Sequence, residues 1–323
     1  MRECRRFSLL LLVCTTALAQ TQPTCTRNAL ATAAVDHLRT AMAQGRFVAY
    51  EPTSLRVVDG RPTPADPAGI RADLAVLRPR FDSLITYGAL HGAEQIPAIA
   101  ASLRFRAVII GVWNPFDRTE LDAAISAARH NTNVIGLSLG NEMVFGGRRT
   151  FTELATLMAS IRAREPRVAL STSEPFHMFY GPAAAGALAQ MDFLLANVHP
   201  IFQPWFRGAR DRNAADFVVN VVAKLAENYC GPILVKETGV PTAPADSGFT
   251  SERQRSFYRE LRSRFPASSE RAFAYFAAFD APWRAYDANP VGGNSAAEAH
   301  WGLFDEARRP KPVVADIPSL QQR

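Results

Sequence analysis

The chain has 323 residues, 48% hydrophobic and 20% charged, which is enough apolar surface for a large core and too mild a charge balance for disorder. Its 19 glycines and 22 prolines are scattered without period, so a collagen-like or low-complexity chain is excluded. The net charge of +6 comes from dispersed arginines, with lysine only at Lys224, Lys236 and Lys311, and no clustered basic run marks a nucleic-acid footprint.

At the N-terminus Arg2, Arg5 and Arg6 precede the apolar run Phe7–Val13, and Ala17-Leu18-Ala19 gives the small-x-small pattern of a signal-peptidase site. Residues 1–19 therefore read as a secretory signal cut after Ala19, leaving residues 20–323 as a single domain. The apolar run is too short for a comfortable membrane anchor. Val13 stands where lipoprotein processing at Cys14 wants a small residue. No later stretch is long and apolar enough to span a bilayer, so the expected location is periplasmic or extracellular, with no stable membrane insertion after cleavage. Cleavage leaves Cys25 and Cys230, which in an exported chain either form one disulfide or remain two thiols. Neither has a Cys or His neighbour at zinc-ligand spacing.

Short apolar runs then alternate with helical segments. The runs are Arg46–Tyr50, Ser83–Tyr87, Ala107–Trp113, Asn133–Leu139, Val168–Thr172, Asp192–Val198, Pro232–Lys236 and Ala272–Phe279. Little polar alternation interrupts them, which is how strands buried on both faces read. Between them Gly69–Leu77, Leu121–Arg129, Phe151–Arg164, Ala214–Asn228 and Glu252–Phe265 place apolar residues at helical spacing. Eight strands alternating with helices predict an α/β fold with a parallel sheet, and eight is the number that closes a (β/α)8 TIM barrel. A doubly wound open sheet is the alternative, but it usually has fewer strands at this length. Asp59–Pro67, Pro200–Asp216 and Asp280–Trp301 read as long loops after the first, sixth and eighth strands, on the rim where barrel active sites sit.

The fourth run ends in Leu139-Gly140-Asn141-Glu142 and the seventh in Lys236-Glu237-Thr238-Gly239. Both glutamates thus fall at the carboxyl end of a strand, on opposite sides of the barrel mouth. Cleavage of a glycosidic bond needs this pair: one carboxylic acid protonates the leaving oxygen and a second carboxylate attacks the anomeric carbon. Asn141 is placed to hold a sugar hydroxyl. A lone glutamate of this kind is ordinarily a surface-loop carboxylate; the pairing is what points to chemistry.

Rival motifs are weaker. Gly136-Leu137-Ser138-Leu139-Gly140 matches the nucleophile elbow of α/β-hydrolases, with Asp280 and His300 following in order. Ser138, however, lies inside a buried run and no upstream oxyanion motif appears. Small residues there fit a crowded barrel interior. His177 and His199 lack carboxylates at metal-ligand spacing, and His199 is expected to contact sugar or support Glu237. Gly146-Gly147-Arg148-Arg149 reads as a loop before a helix capped by Thr150 rather than as a phosphate site.

The motifs as a set resemble glycoside hydrolase family 17, the β-1,3-glucanase family of the large retaining barrel clan. Ile85-Thr86-Tyr87-Gly88, Ile109–Trp113, Gly140-Asn141-Glu142, Asn197-Val198-His199-Pro200, Lys236-Glu237-Thr238-Gly239-Val240-Pro241, Phe279-Asp280-Ala281-Pro282-Trp283-Arg284 and Glu298–Phe304 carry the resemblance through most of the mature chain. It implies Glu142 as acid/base and Glu237 as nucleophile, with Tyr87 and Asn141 at the cleavage point and Asn197, Trp283 and Glu298 lining the cleft. The family's eighth-strand block usually carries Glu and Lys where this chain has Ala281 and Arg284, and plant members place Trp at Val240. The activity implied is retaining cleavage of β-1,3-glucan polymers or oligosaccharides by a monomer, without cofactor or metal. Transglycosylation is the alternative within the same fold, and a non-catalytic carbohydrate-binding barrel the alternative outside it. Retention needs carboxyls roughly 5–5.5 Å apart. Glu237, beside Lys236 and in reach of Tyr87, is expected to stay ionised, and Glu142 to have a raised pKa. Trp113, Trp205, Phe206, Trp283 and Trp301 are the candidate stacking surfaces for glucose rings.

Overall fold

A computed structural model describes residues 28–58, 61–286 and 295–320. The signal segment expected at residues 1–19 and Cys25 lie outside the described residues. Cys230 is disulfide-bonded.

Helix α1 (Thr32–Gln44) leads into strand β1 (Phe47–Ala49) and a hairpin, β2 (Arg56–Val58) and β3 (Arg61–Thr63). Then α2 (Pro67–Leu77), β4 (Ser83–Ile85), α3 (Ile96–Ser102), β5 (Ala107–Val112), α4 (Arg118–His130), β6 (Val134–Asn141), α5 (Phe151–Arg164), β7 (Leu170–Pro175), α6 (Ala185–Leu188), β8 (Leu194–Asn197), α7 (Asp211–Leu225), β9 (Ile233–Glu237), α8 (Ser251–Arg264) and β10 (Arg271–Tyr275) follow, with the short α9 (Ser295–Glu298) last. Strands β1, β4, β5, β6, β7, β8, β9 and β10 close a parallel barrel in chain order, and β2 pairs antiparallel with β3 outside it. All eight barrel strands fall on the apolar runs. Strands such as β5 and β9 are buried along their whole length, covered by helices outside and by the packed interior within.

Local chemistry fixes the boundaries. In α5 Thr150 and Glu153 form a capping box, reciprocally satisfying two free N–H groups of the first turn. Asp66 accepts from the Gly69 N–H and Pro67 occupies the first helical position, so α2 starts earlier than its apolar periodicity suggests. The segment Asp59–Pro67, expected to be loop throughout, therefore contains β3 and the first residue of α2. The loop expected over Pro200–Asp216 is likewise shortened. It holds two 3-10 turns, Pro200–Phe202 and Phe206–Gly208, before α7 begins at Asp211.

The barrel interior is filled in its lower half by Phe47, Ile85, Ile109, Ile135, Phe193 and Leu234, against which Val35, Leu38, Ala41 and Met42 of α1 pack. Helix α1 touches β5, β6 and β10, so it lies across the end at which the strands begin. Gly136 faces the Phe193 ring, and a Cβ there would come 2.7 Å from Phe193 Cε1. That close approach accounts for the glycine at 136, and Ser138 is buried within the strand rather than on a strand-to-helix turn. After β10 the chain folds back over the barrel. Lys311 Nζ meets Asp280 Oδ1 at 2.7 Å, and Val313, Val314 and Ile317 enter the core. Arg308 Nε reaches the buried Asp73 at 2.7 Å, where Tyr50, the Thr53 hydroxyl and the Thr53 N–H also donate. No helix among the described residues is long and apolar enough to cross a membrane.

Candidate active site

The site forms at the carboxyl ends of β4, β6, β8 and β9. Strand β6 ends on Gly140 and Asn141, and Glu142 follows at once, with φ of 84° at Gly140 and 52° at Glu142. Glycine takes the left-handed region freely; a glutamate there costs of order 1–3 kcal/mol and persists only when its surroundings hold it. The Glu142 N–H donates to the Ser173 carbonyl at 2.8 Å, and the Glu142 carbonyl accepts from the Gly146 N–H at 2.9 Å. Its side chain is thereby aimed inward, where Oε1 accepts from Asn197 Nδ2 at 2.8 Å. Asn197, buried at the end of β8, is itself fixed by the Ser173 hydroxyl at 2.9 Å.

Glu237 stands at the end of β9. The ladder between β8 and β9 shifts here, pairing Ala196 with Val235 and Asn197 with Glu237. Such irregularities re-aim side chains at barrel rims. Glu237 Oε1 accepts from Lys236 Nζ at 2.9 Å and from the Tyr87 hydroxyl at 3.0 Å, and His199 Nε2 lies 3.2 Å from Oε2. Lys236 is 1% exposed. Its ammonium also donates to Asn141 Oδ1 at 2.6 Å and sits 4.1 Å from the Tyr87 ring centroid. One connected network thus joins Tyr87, Asn141, Glu142, Asn197, His199, Lys236 and Glu237.

The two carboxyls are driven in opposite directions. Burial raises the pKa of Glu142, the nearby Glu237 charge raises it further, and the Asn197 bond only partly offsets them. Burial would raise Glu237 too, but the Lys236 ammonium and the His199 bond outweigh it and hold that carboxyl well below the usual range. Burial and the Glu237 charge push the Tyr87 phenol well above its ordinary value, so it remains a donor. Both carboxyl directions agree with the sequence expectation.

The remaining expected residues separate into two groups. Glu298 joins through intermediaries. It accepts from Trp301 Nε1 at 3.2 Å, and the Trp301 ring packs edge-on against His199 with centroids 5.0 Å apart. Burial raises the Glu298 pKa. Trp283 is half-buried beneath the Arg284 guanidinium, which stands 5.5 Å from its ring centroid and 5.1 Å from that of Phe276. Of the candidate stacking surfaces, Trp113 and Trp205 are 51% and 40% exposed and remain open to a ligand. Trp301 and Phe206 are 2% and 3% exposed, so neither offers a ring face to a sugar. Trp301 instead backs His199, and Phe206 lies under the Arg253 guanidinium at 4.0 Å. Asp280 is occupied by Lys311 and the Gly302 N–H, which leaves no triad for Ser138.

Sequence reasoning missed two acidic residues. Glu51, in the loop after β1, pairs with Arg284 at 2.6 Å, so the carboxylate beside that arginine comes from the other end of the chain. Glu174, near the end of β7, lies buried directly behind the Glu142 turn. It carries the same strand-end signal as Glu142 and Glu237, in Ser171-Thr172-Ser173-Glu174-Pro175.

The family profile described as the BtgE/BtgC glycoside hydrolase domain matches residues 48–302. The chain belongs to this glycoside hydrolase family. Its likeness to glycoside hydrolase family 17, read from the motifs, is in keeping with that membership. A glucan 1,3-beta-glucosidase of Arthroderma benhamiae is 26% identical over 261 residues, covering 76% of this chain and 84% of the relative. A probable beta-glucosidase of Emericella nidulans is 26% identical over 238 residues, and the matched part is 41% of that longer protein. Among solved structures, an active-site mutant of the Rhizomucor miehei beta-1,3-glucanosyltransferase in complex with laminaritriose superposes with a TM-score of 0.65 at 22% identity, covering 83% of this chain and 96% of that one. The superposition shows that this glycoside hydrolase shares the fold of that enzyme.

Proposed function

We propose that the protein cleaves β-1,3-glucosidic bonds with retention, Glu237 acting as nucleophile and Glu142 as acid/base. The observation that carries the reading is the opposed surroundings of the two glutamates: a buried ammonium, a phenol and an imidazole close on Glu237 and hold its pKa down, while burial pushes that of Glu142 up. Paired carboxyls with environments that push their pKa values apart are the acid/base signature of this chemistry.

In the first step a Glu237 oxygen attacks the anomeric carbon and forms a glycosyl ester. The bond to the leaving sugar breaks, and its oxygen takes the Glu142 proton. In the second step Glu142, now a carboxylate, removes a proton from water; the hydroxide oxygen attacks the anomeric carbon and releases Glu237. Asn141 Oδ1 is already taken by Lys236 and Asn197, which turns its amide N–H groups toward the sugar. Trp283 and Glu298 line the cleft, and His199 holds Glu237 in place. The names of the glucan 1,3-beta-glucosidase relative and of the laminaritriose-bound neighbour support a β-1,3-glucan substrate.

Transfer to a sugar acceptor is the second reading. It is favoured by Phe202 and Trp205, exposed on the loop after β8, where they offer a surface for an incoming sugar. The disulfide at Cys230 supports an exported protein, since such bonds persist in oxidising compartments.

The test is mass spectrometry of products from laminari-oligosaccharides, with the anomer released first identified by NMR. Shorter products as the β-anomer are expected, and longer ones reveal transfer. Glu237→Gln abolishes both because an amide cannot form the ester. Retained activity in that variant, or an α-anomer first, overturns the reading.

A further inference from the structure

We propose that Glu174 is a positioning residue for Glu142: its carboxylate grips the backbone immediately after Glu142 and fixes the point at which that side chain delivers its proton. The inference rests on the acid/base reading of Glu142.

Glu174 is fully buried on β7, where an aliphatic side chain would pack at less cost. Its two oxygens take the Val144 N–H at 2.9 Å and the Phe145 N–H at 3.1 Å. Successive backbone N–H groups of one turn form an anion-binding concavity, and here the anion is supplied by the chain itself. The preceding residue of β7, Ser173, accepts the Glu142 N–H through its carbonyl. Consecutive residues of β7 therefore hold the turn on both sides of Glu142. That turn keeps Glu142 at a φ of 52°, a conformation a glutamate does not hold unaided.

Burial raises the Glu174 pKa to about 7, against the pull of the backbone donors, and the nearby Glu142 charge raises it further. The groups facing Glu142 are Glu237 and Lys236 from β9, Asn197 from β8, His199 from the following loop and Glu174 from β7. The ring of His177 packs on Phe145, at the far side of the gripped turn.

The decisive variant is Glu174→Gln, whose amide group would oppose one of the two backbone N–H donors. Two substrates separate positioning from simple stability. A laminari-oligosaccharide has a poor leaving group that needs a proton, whereas 2,4-dinitrophenyl β-glucoside does not. A general acid contributes about 10²–10⁴-fold, so kcat/KM on the oligosaccharide is expected to fall roughly 10–100-fold while kcat/KM on the aryl glucoside stays within about threefold. Equal losses on both substrates overturn the inference and leave the catalytic reading standing. Wild-type protein that cleaves neither substrate overturns both. Should Glu174→Gln fail to fold, Glu174→Asp keeps the charge but shortens the reach. The same split between substrates is expected of it, and its absence is equally fatal to the inference.

Discussion

Replacing Lys236 by Met isolates what the buried ammonium does for Glu237. Methionine matches the length of the stem but carries no charge. At the 2.9 Å separation of Lys236 Nζ and Glu237 Oε1, with an effective dielectric constant of about 20, the attraction is roughly 6 kcal/mol. If rearrangement and water entry recover about half, ~3 kcal/mol is lost, which at 1.36 kcal/mol per unit is a rise of ~2 units in the Glu237 pKa. The sign follows from the proposed mechanism, in which Glu237 must be ionised to attack, so raising its pKa moves the acidic limb of the pH profile upward. The assay is kcat/KM against pH on 2,4-dinitrophenyl β-glucoside, which removes the demand on Glu142. We expect the acidic limb of Lys236→Met about two units above that of the wild type, with activity recovering on the alkaline side. A folded variant whose acidic limb stays in place would refute the electrostatic account of the nucleophile.

Further outcomes follow from the same geometry. Tyr87→Phe removes one hydrogen bond to a charged oxygen, worth about 1.5–3 kcal/mol to the fold, so Tm should drop by several degrees and kcat/KM on the aryl glucoside should fall as Glu237 loses an anchor. Because the Glu237 pKa is depressed in the fold, it contributes stability that is present above the unfolded value of about 4.3 and is lost as the pH falls toward the folded value. Urea midpoints should therefore decline less in Glu237→Gln than in wild type as the pH is lowered from about 5 to 2. Asp73→Ala strands the Arg308 guanidinium and the Tyr50 hydroxyl, and should cost about 3–5 kcal/mol in chemical denaturation while leaving the pH profile unmoved.

Much of this arrangement was legible in the residues themselves. Barrel strands covered on both faces have no solvent side, so each reads as an unbroken apolar run, and all eight were found. Glu142, Glu237, Tyr87 and Asn197 could be placed because each sits at the end of such a run. What escaped has physical causes. The Glu51–Arg284 pair joins two loops 233 residues apart, and linear spacing carries no trace of it. Glu174 carried the right positional signal, but its partners are backbone N–H groups, which look alike in every sequence. Trp301 and Phe206, expected as stacking surfaces, are buried instead, because the face each ring turns inward depends on neighbours such as His199 and Arg253. The hairpin β2–β3 was hidden by Pro62 and exposed polar residues, which suppress the apolar alternation of a strand.

Helix α1 and the segment after residue 302 both lie beyond the family match at residues 48–302. The stretch that carries the family likeness is therefore shorter than the stretch that contributes to the core. A fragment cut at those limits keeps Glu142 and Glu237, yet it strips Val35, Leu38, Ala41 and Met42 from the floor of the barrel and Val313, Val314 and Ile317 from its wall. It also removes Arg308 from Asp73 and Lys311 from Asp280, leaving two carboxylates without their cations. Such a fragment should be insoluble although every residue of its chemistry is present. For this protein, the stretch marked out by recognisable motifs and the stretch that builds the core beneath them have different ends.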